Sequence, residues 1–269
     1  MAFEGCEFSF DGIPSHAFGL VMYEFGTYAQ DDTFSFPSAG NIIGERIPHR
    51  LSSLFYTLEL DDVAEFTMVF GANPESMDER DPIDRWEQAE IASWLTSKDG
   101  YRWLEIDQDD MHTFRFRCII SELESISVGG EQWAYRCKVT CDSPYAYMYP
   151  QAFSYKATGD TSAILRNDST VNQDVYPLVK ITMNGGNSFS ITNEEFGETL
   201  TLSELPAQTF TVTIDNENQI ITSDDLPDYD FYEHFNFTFL RLKRGANRLT
   251  FDGNASVLIL CDFPVNIGG

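Results

Sequence analysis

Apolar and polar residues alternate with a period of two along most of the chain, and many alternating runs are bounded by Gly, Asn, Asp or Pro. Successive side chains on a strand point to opposite faces, so this pattern predicts half-buried antiparallel strands. The clearest run is Trp133 to Cys141. Trp133, Tyr135, Cys137, Val139 and Cys141 fall on one face, with Ala134, Arg136, Lys138 and Thr140 on the other. Phe66, Met68 and Phe70 repeat the pattern, as do Phe114, Phe116, Cys118 and Ile120 with Arg115 and Arg117 opposite. Each such strand offers one face to a core and a charged face to water.

One segment has the helical period instead. Asp81 is a candidate N-cap, Pro82 suits the first helical position, and Asp84 adds a carboxylate to the first turn. Trp86, Ala89, Trp94 and Leu95, with Ile83 and Ile91 beside them, cluster on a broad face. Lys98 and Gly100 supply a basic last turn and a stop. The two tryptophans are expected to clamp this helix to a sheet.

A turn at Asp142-Ser143-Pro144-Tyr145, followed by the aromatic stretch to Pro150, marks a domain boundary. Strands are expected beyond it at 179–183, 189–192, 199–202, 210–214, 235–240, 248–251 and 257–261. Asn184-Gly185-Gly186-Asn187 reads as a hairpin turn, and Arg244 to Asn247 and Asp252-Gly253-Asn254 as further turns. Seven or more short strands without a helix imply a β-sandwich.

The length of 269 residues accommodates two modest domains, and 22 Phe and 12 Tyr are enough to fill a core in each. No run approaches the roughly 18 apolar residues of a membrane helix. Met1 to Glu7 lack the basic-then-apolar pattern of a leader, so a protein kept or assembled in the cytoplasm is expected.

Charge is the strongest bulk signal: 17 Lys and Arg against 43 Asp and Glu, a formal net charge of −26. Gripping nucleic acid requires clustered bases, so sequence-specific DNA or RNA binding is disfavoured. A conduit lined by carboxylates, in contrast, would repel a passing duplex from its walls. Plain solubility accounts for the acidity equally well.

The candidate chemistry is thin. Cys6, Cys118, Cys137, Cys141 and Cys261 are odd in number and scattered, which favours buried thiols over a disulfide framework or metal site. The acidic groups Asp107, Asp109, Asp110 and Asp224, Asp225, Asp228, Asp230 invite a glycan-hydrolase reading. Clusters of this kind arise by chance among 43 carboxylates, and the first lacks the spacing of a calcium loop. His16, His49, His112 and His234 are isolated, and no phosphate-binding glycine loop is present. Tyr229, Phe231, Tyr232, His234 and Phe235 lie together, and aromatics can stack on sugar rings, although core packing is their commoner fate. No catalytic, cofactor-binding or metal-ligating residue is assigned.

Several segments, taken in order, resemble the distal tail protein family of siphophages. They are Phe8-Ser9-Phe10-Asp11-Gly12, an irregular stretch to Pro48, Ser53 to Tyr56, Phe66 to Phe70, the helix from Arg85-Trp86 to Trp94-Leu95, and Tyr101 to Glu105. The most specific is Cys137-Lys138-Val139-Thr140-Cys141-Asp142-Ser143-Pro144-Tyr145-Ala146-Tyr147, similar to the strand and exit that close the family's first domain. Leu242 to Asn247 is similar to the close of the second.

The resemblance implies a mainly β fold. Residues 1–146 would form a sandwich or split-barrel domain like that of tail tubes, with one helix, and 147–269 a galectin-like β-sandwich. It further implies a virion protein at the distal end of the tail, assembled in the host cytoplasm as a hexameric ring that lets DNA pass. Its partners would be the major tail tube protein, the tape-measure protein, a tail-tip or lysin-like protein and a receptor-binding protein. No cofactor, catalysis or membrane insertion is implied. The alternative carried alongside is a carbohydrate-binding module of a virion adhesion device.

Overall fold

In the computed structural model, residues 7–25, 41–59, 63–73, 81–109 and 111–266 are described. The chain divides into two units, Met1–Tyr147 with Asn266–Gly269, and Met148–Val265.

The alternating runs of the first unit pair into one antiparallel sheet. Its strands are β1 (Glu7–Phe10), β2 (Ile13–Pro14), β3 (Leu20–Phe25), β6 (Glu65–Ala72), β7 (Arg102–Asp107), β8 (Phe114–Val128), β9 (Glu131–Cys141) and β10 (Ala146–Met148). The order is β2-β1-β7-β8-β9-β6-β3, with β10 against β8. Between β3 and β6, β4 (Asn41–Glu45) and β5 (Leu54–Glu59) form a separate hairpin.

The inward side chains of successive strands, among them Phe8, Phe10, Phe66, Met68, Phe70, Leu104, Phe116, Cys118, Cys137 and Val139, make one core. Helix α1 (Arg85–Thr96) covers it with Ile91, Trp94 and Leu95. The helix begins three residues later than expected. Asp84, not Asp81, is the N-cap: its carboxylate accepts from the Trp86 and Glu87 amides, and the Glu87 side chain accepts from the Asp84 amide. Residues before it run extended, with the Ile83 amide donating to Gln132 O at 2.9 Å. Ser97 caps the other end, and Lys98 leaves the helix to pair with Asp11 at 2.7 Å. Only one tryptophan clamps. Trp94 is buried, stacks on Phe8 and Phe18, and donates to Phe10 O at 2.9 Å. Trp86 is 81% exposed.

The second unit contains β11 (Gln151–Thr158), β12 (Thr161–Asn167), β13 (Leu178–Asn184), β14 (Phe189–Asn193), β15 (Glu198–Leu202), β16 (Thr209–Asp215), β17 (Ile220–Thr222), β18 (Gly245–Cys261) and β19 (Pro264–Val265). The segments expected at 248–251 and 257–261 belong to the single strand β18. Its first half pairs with β12 and β14, its second with β11 and β13, so it runs through two sheets whose inward residues share one core.

The Asp252-Gly253-Asn254 motif is therefore a crossing point within a strand rather than a turn. Gly253 has φ of 120°, and a Cβ there would lie 2.8 Å from Ser188 O and 2.9 Å from Phe189 Cδ2. Turn chemistry and strand crossing use the same permissive residue, which is why the motif misleads. Gly253→Ala is expected to cost about 2–3 kcal/mol, read as a lower urea midpoint at unchanged slope. Similarly, the Asn184 to Asn187 turn does not close a hairpin. It carries the chain from β13 to β14, which pair not with each other but with the two halves of β18, β13 also with β16 and β14 also with β15. Gly245, expected in a turn, already opens β18.

The expected strand at 235–240 is absent, and asparagine side chains supply part of what a ladder would. Asn236 Oδ1 accepts from the Thr201 amide at 3.0 Å and Nδ2 donates to Thr199 O at 2.7 Å, so a side chain occupies the edge of β15. The following residues, Leu240 to Lys243, are fastened by four buried asparagines. Asn216 Oδ1 accepts from the Leu240 amide (2.7 Å), Asn193 Nδ2 donates to Arg241 O (2.8 Å), and Asn167 Nδ2 to Leu242 O (3.3 Å). Asn247 accepts from the Lys243 amide (3.0 Å) and donates to Lys243 O (2.8 Å) and Gly245 O (3.1 Å). A buried backbone must be paired, and these amides do so where strands do not.

Candidate assembly surface

The outer face of the first sheet carries alternating charges because β6, β8 and β9 place the polar half of each period-two run there. Lys138 Nζ lies 2.9 Å from Glu65, and Thr140 Oγ1 donates to Glu65 at 3.3 Å. The hydrogen bond from Lys138 holds the Glu65 carboxyl below its usual range, and the same bond raises the Lys138 ammonium. Farther along, Arg136 approaches Glu124 at 3.9 Å, and Glu122 completes the rim of a shallow depression.

At the end of β9 the Cys137 to Tyr147 motif builds a polar corner. The Tyr147 hydroxyl lies 3.2 and 3.3 Å from the Asp142 carboxylate oxygens and 3.1 Å from Ser143 Oγ. Arg117 Nε is 3.5 Å from the same carboxylate. The Trp103 ring meets Tyr147 edge-on at 5.5 Å, and the Arg115 guanidinium sits 3.5 Å above Trp103. A carboxylate engaged by a cation and a phenol is a fixed anchor, not a free base; the motif locks the geometry of the exit.

Two further features of this unit are exposed. The β8–β9 hairpin extends past its neighbours: β7 pairs with β8 only over Arg115 to Cys118, and β6 with β9 only over Ala134 to Thr140. On the hairpin Glu122 and Glu124 lie opposite Lys138 and Arg136, and Glu131 and Val128, the latter 66% exposed, pair at its end. The second feature is the connection between β4 and β5, where Arg46, His49 and Arg50 are exposed beside a fully exposed Leu51. Sequence reasoning passed over this tip; its signal was a run with two arginines, a histidine and no acid in a chain of net charge −26.

The other candidates disperse. Asp107, the last residue of β7, and Asp109, in the β7–β8 connection, are exposed, and Asp110 lies outside the described residues. In the second unit Asp225 accepts from the Thr211 amide and Asp230 from the Tyr232 amide, while Asp224 and Asp228 are exposed. Glu65 and Glu198 are lowered by hydrogen bonds from Lys138 and Arg241, the wrong direction for a proton donor.

His16 pairs with Glu7, His112 with the Asp109 carbonyl, His234 stacks on Tyr229, and His49 is on the tip. Cys118, Cys137, Cys141 and Cys261 are buried free thiols, and Cys6 lies outside the described residues. Burial pushes Cys137, Cys141 and Cys261 up to about 12 and Cys118 higher still, which suppresses thiolate chemistry. Among the described residues no three potential metal ligands converge, and no helix is long and apolar enough to cross a membrane.

Of the aromatic group, Phe231 and Phe235 are core residues and Tyr229 packs on Phe231 at 4.8 Å. Tyr232 is partly exposed and stacks at 6.2 Å on Phe237, which is 65% exposed with φ of 56°. Phe237 was read as a strand residue, so its display was not anticipated.

Comparison with known proteins follows the same division. Residues 3–143 match the family described as the phage tail protein N-terminal domain, and residues 145–261 match the phage tail C-terminal domain. A search of curated proteins found no matching sequence. Among solved structures, the Dit protein (gp 19.1) of phage SPP1, described as a paradigm of the hub adsorption apparatus in phages infecting Gram-positive bacteria, aligns with a TM-score of 0.65. The alignment covers 96% of this chain and 99% of that one at 11% identity, a likeness of fold. With both domain profiles matched in order along nearly its full length, the chain belongs to the phage tail protein family that these two domains define.

Proposed function

We propose that this chain is the distal tail subunit of a siphophage, forming a hexameric ring between the tail tube and the tail tip through which DNA passes. The observation that carries the reading is the joint one: both tail domains are matched, and the fold follows a hub protein over 96% of the chain. The ring would sit at the distal end of the virion tail after assembly in the host cytoplasm. It would meet the major tail tube and tape-measure proteins on one side and a tail-tip or lysin-like protein and a receptor-binding protein on the other. The chain works by contact rather than by catalysis, in keeping with a polar corner and charge ladder that neutralise their own ionisable groups.

Charge sets the condition for assembly. Six copies at −26 each carry −156 formally, a repulsion that salt must screen. Light scattering is expected to show a monomer at low ionic strength and a six-copy mass as salt rises. A monomer at every ionic strength would count against the ring.

A second reading, carbohydrate binding by the second unit, draws on the exposed Tyr232–Phe237 pair. Glycan-array binding abolished by Phe237→Ala would favour it over a purely structural role.

A further inference from the structure

We propose that Asn184 is a site of spontaneous, enzyme-free modification: its side chain closes a succinimide with the Gly185 nitrogen and reopens as aspartate and isoaspartate. The inference is independent of the hexameric reading. Asn184 and Gly185 form the single Asn-Gly pair in the 269 residues.

Closure requires an asparagine side chain free to swing, a following backbone nitrogen free to attack, and no side chain on that next residue to obstruct them. The turn supplies all three. Asn184 is the last residue of β13 and is exposed. Among the described residues no hydrogen bond holds its side-chain amide; outside the β-ladder its one bond is at the main-chain carbonyl, which accepts from Asn254 Nδ2 at 3.1 Å. Gly185 is exposed and its N–H has no partner among the described residues. It has φ of 93°, with nothing within 4 Å of where a Cβ would stand.

Other asparagines lack one condition or more. Asn167, Asn193, Asn216 and Asn247 are buried, and their amides are held by the bonds that fasten residues 240–243. Asn218, Asn236 and Asn254 are exposed, but their side chains are bonded to Asp215, Thr199 and Asn184, and Gln219, Phe237 and Ala255 follow them. Asn187 is exposed, but Ser188 follows it and brings a Cβ against the attacking nitrogen. Because β13 and β14 do not pair with each other, rotation at Asn184 disturbs only its end pair with Thr209 and the bond from Asn254.

The chemistry draws on water alone. Hydroxide removes the Gly185 amide proton, the nitrogen attacks Asn184 Cγ, and the new N–Cγ bond forms as the Cγ–Nδ2 bond breaks. Nδ2 takes up a proton and leaves as ammonia. Water then opens the succinimide at either carbonyl. Opening at Cγ gives aspartate; opening at the main-chain carbonyl gives isoaspartate, whose backbone runs through the former side chain and gains a methylene. Each product puts one more carboxylate on the exposed turn of a chain already at −26.

The test incubates the folded full-length chain in mildly alkaline buffer made with heavy-oxygen water. Samples are digested in acid and mapped by mass spectrometry, with fragmentation that separates isoaspartate from aspartate. The peptide holding Asn184 is expected to shift by the mass of an acid carrying one heavy oxygen, ahead of every other asparagine, with both isomers present and the rate falling as pH is lowered. Asn184→Gln is expected to keep the fold by circular dichroism and to lose the shift, because an extra methylene disfavours closure. An unchanged Asn184 while another asparagine converts would overturn the proposal. Aspartate without isoaspartate would mean direct hydrolysis of the side chain and also overturn it, as would conversion that appears only after unfolding in urea.

Discussion

Replacing Asn247 with Leu is expected to destabilise the second unit by about 3–5 kcal/mol, from the sum of several buried polar groups left without partners. The residue is fully buried and uses both ends of its amide: it accepts from the Lys243 amide and Asn193 Nδ2 and donates to Lys243 O and Gly245 O. Leucine fills the volume but answers none of these groups, so the Leu240 to Lys243 segment detaches from its neighbours. Hydrogen exchange on the full chain should show the loss at residues 240–247 and along β18, with the first unit protected as before. Asn247→Asp is a useful companion: it keeps the acceptors, removes both donors and buries a charge, and should be no milder. Equal protection in the native and Leu variants would show that the segment is held by packing alone.

Trp94→Ala is expected to cost the first unit about 3–5 kcal/mol, the range for truncating a large buried aromatic. Its ring lies between Phe8, 5.8 Å away, and Phe18, 4.7 Å away, and its indole nitrogen satisfies the Phe10 carbonyl. Truncation removes the packing and leaves that carbonyl buried and unpaired. Trp86→Ala, eight residues earlier on the same helix, should change stability by less than about 0.5 kcal/mol because the side chain stands in solvent. Urea unfolding of both variants separates them; near-equal midpoints would mean that the helix is not fastened by Trp94.

These two cases mark how far the sequence could be read. Period-two alternation placed the strands of the first sheet, since burying one face of Trp133 to Cys141 leaves a record at every second residue. The helix was legible from its period, but its start was not. Asp81 and Asp84 are both plausible caps, and only the reciprocal bond with Glu87, three residues beyond Asp84, distinguishes them. Which tryptophan clamps depends on where the helix axis lies over the sheet, and that is tertiary information.

In the second unit, local chemistry was ambiguous in a different way. Gly253 looks the same in a turn and in a strand that passes between sheets, and Asn167, Asn193, Asn216 and Asn247 look like loop residues until the backbone they fasten is in view. The candidate assembly surface was half legible. The Asp142 to Tyr147 corner stood out as a motif, whereas the Arg46 to Leu51 tip matches no motif and shows only as a local run of cations in an acidic chain.

The central claim is that copies of this chain encircle the channel at the distal end of a phage tail. A cryo-electron microscopy reconstruction of the tail tip of the particle carrying this chain tests it most directly. The account predicts six copies of the two-unit fold around an open axis, at the junction of tube and tip. A reconstruction that places the chain elsewhere on the virion, or at the tip without a closed ring around the axis, would contradict it.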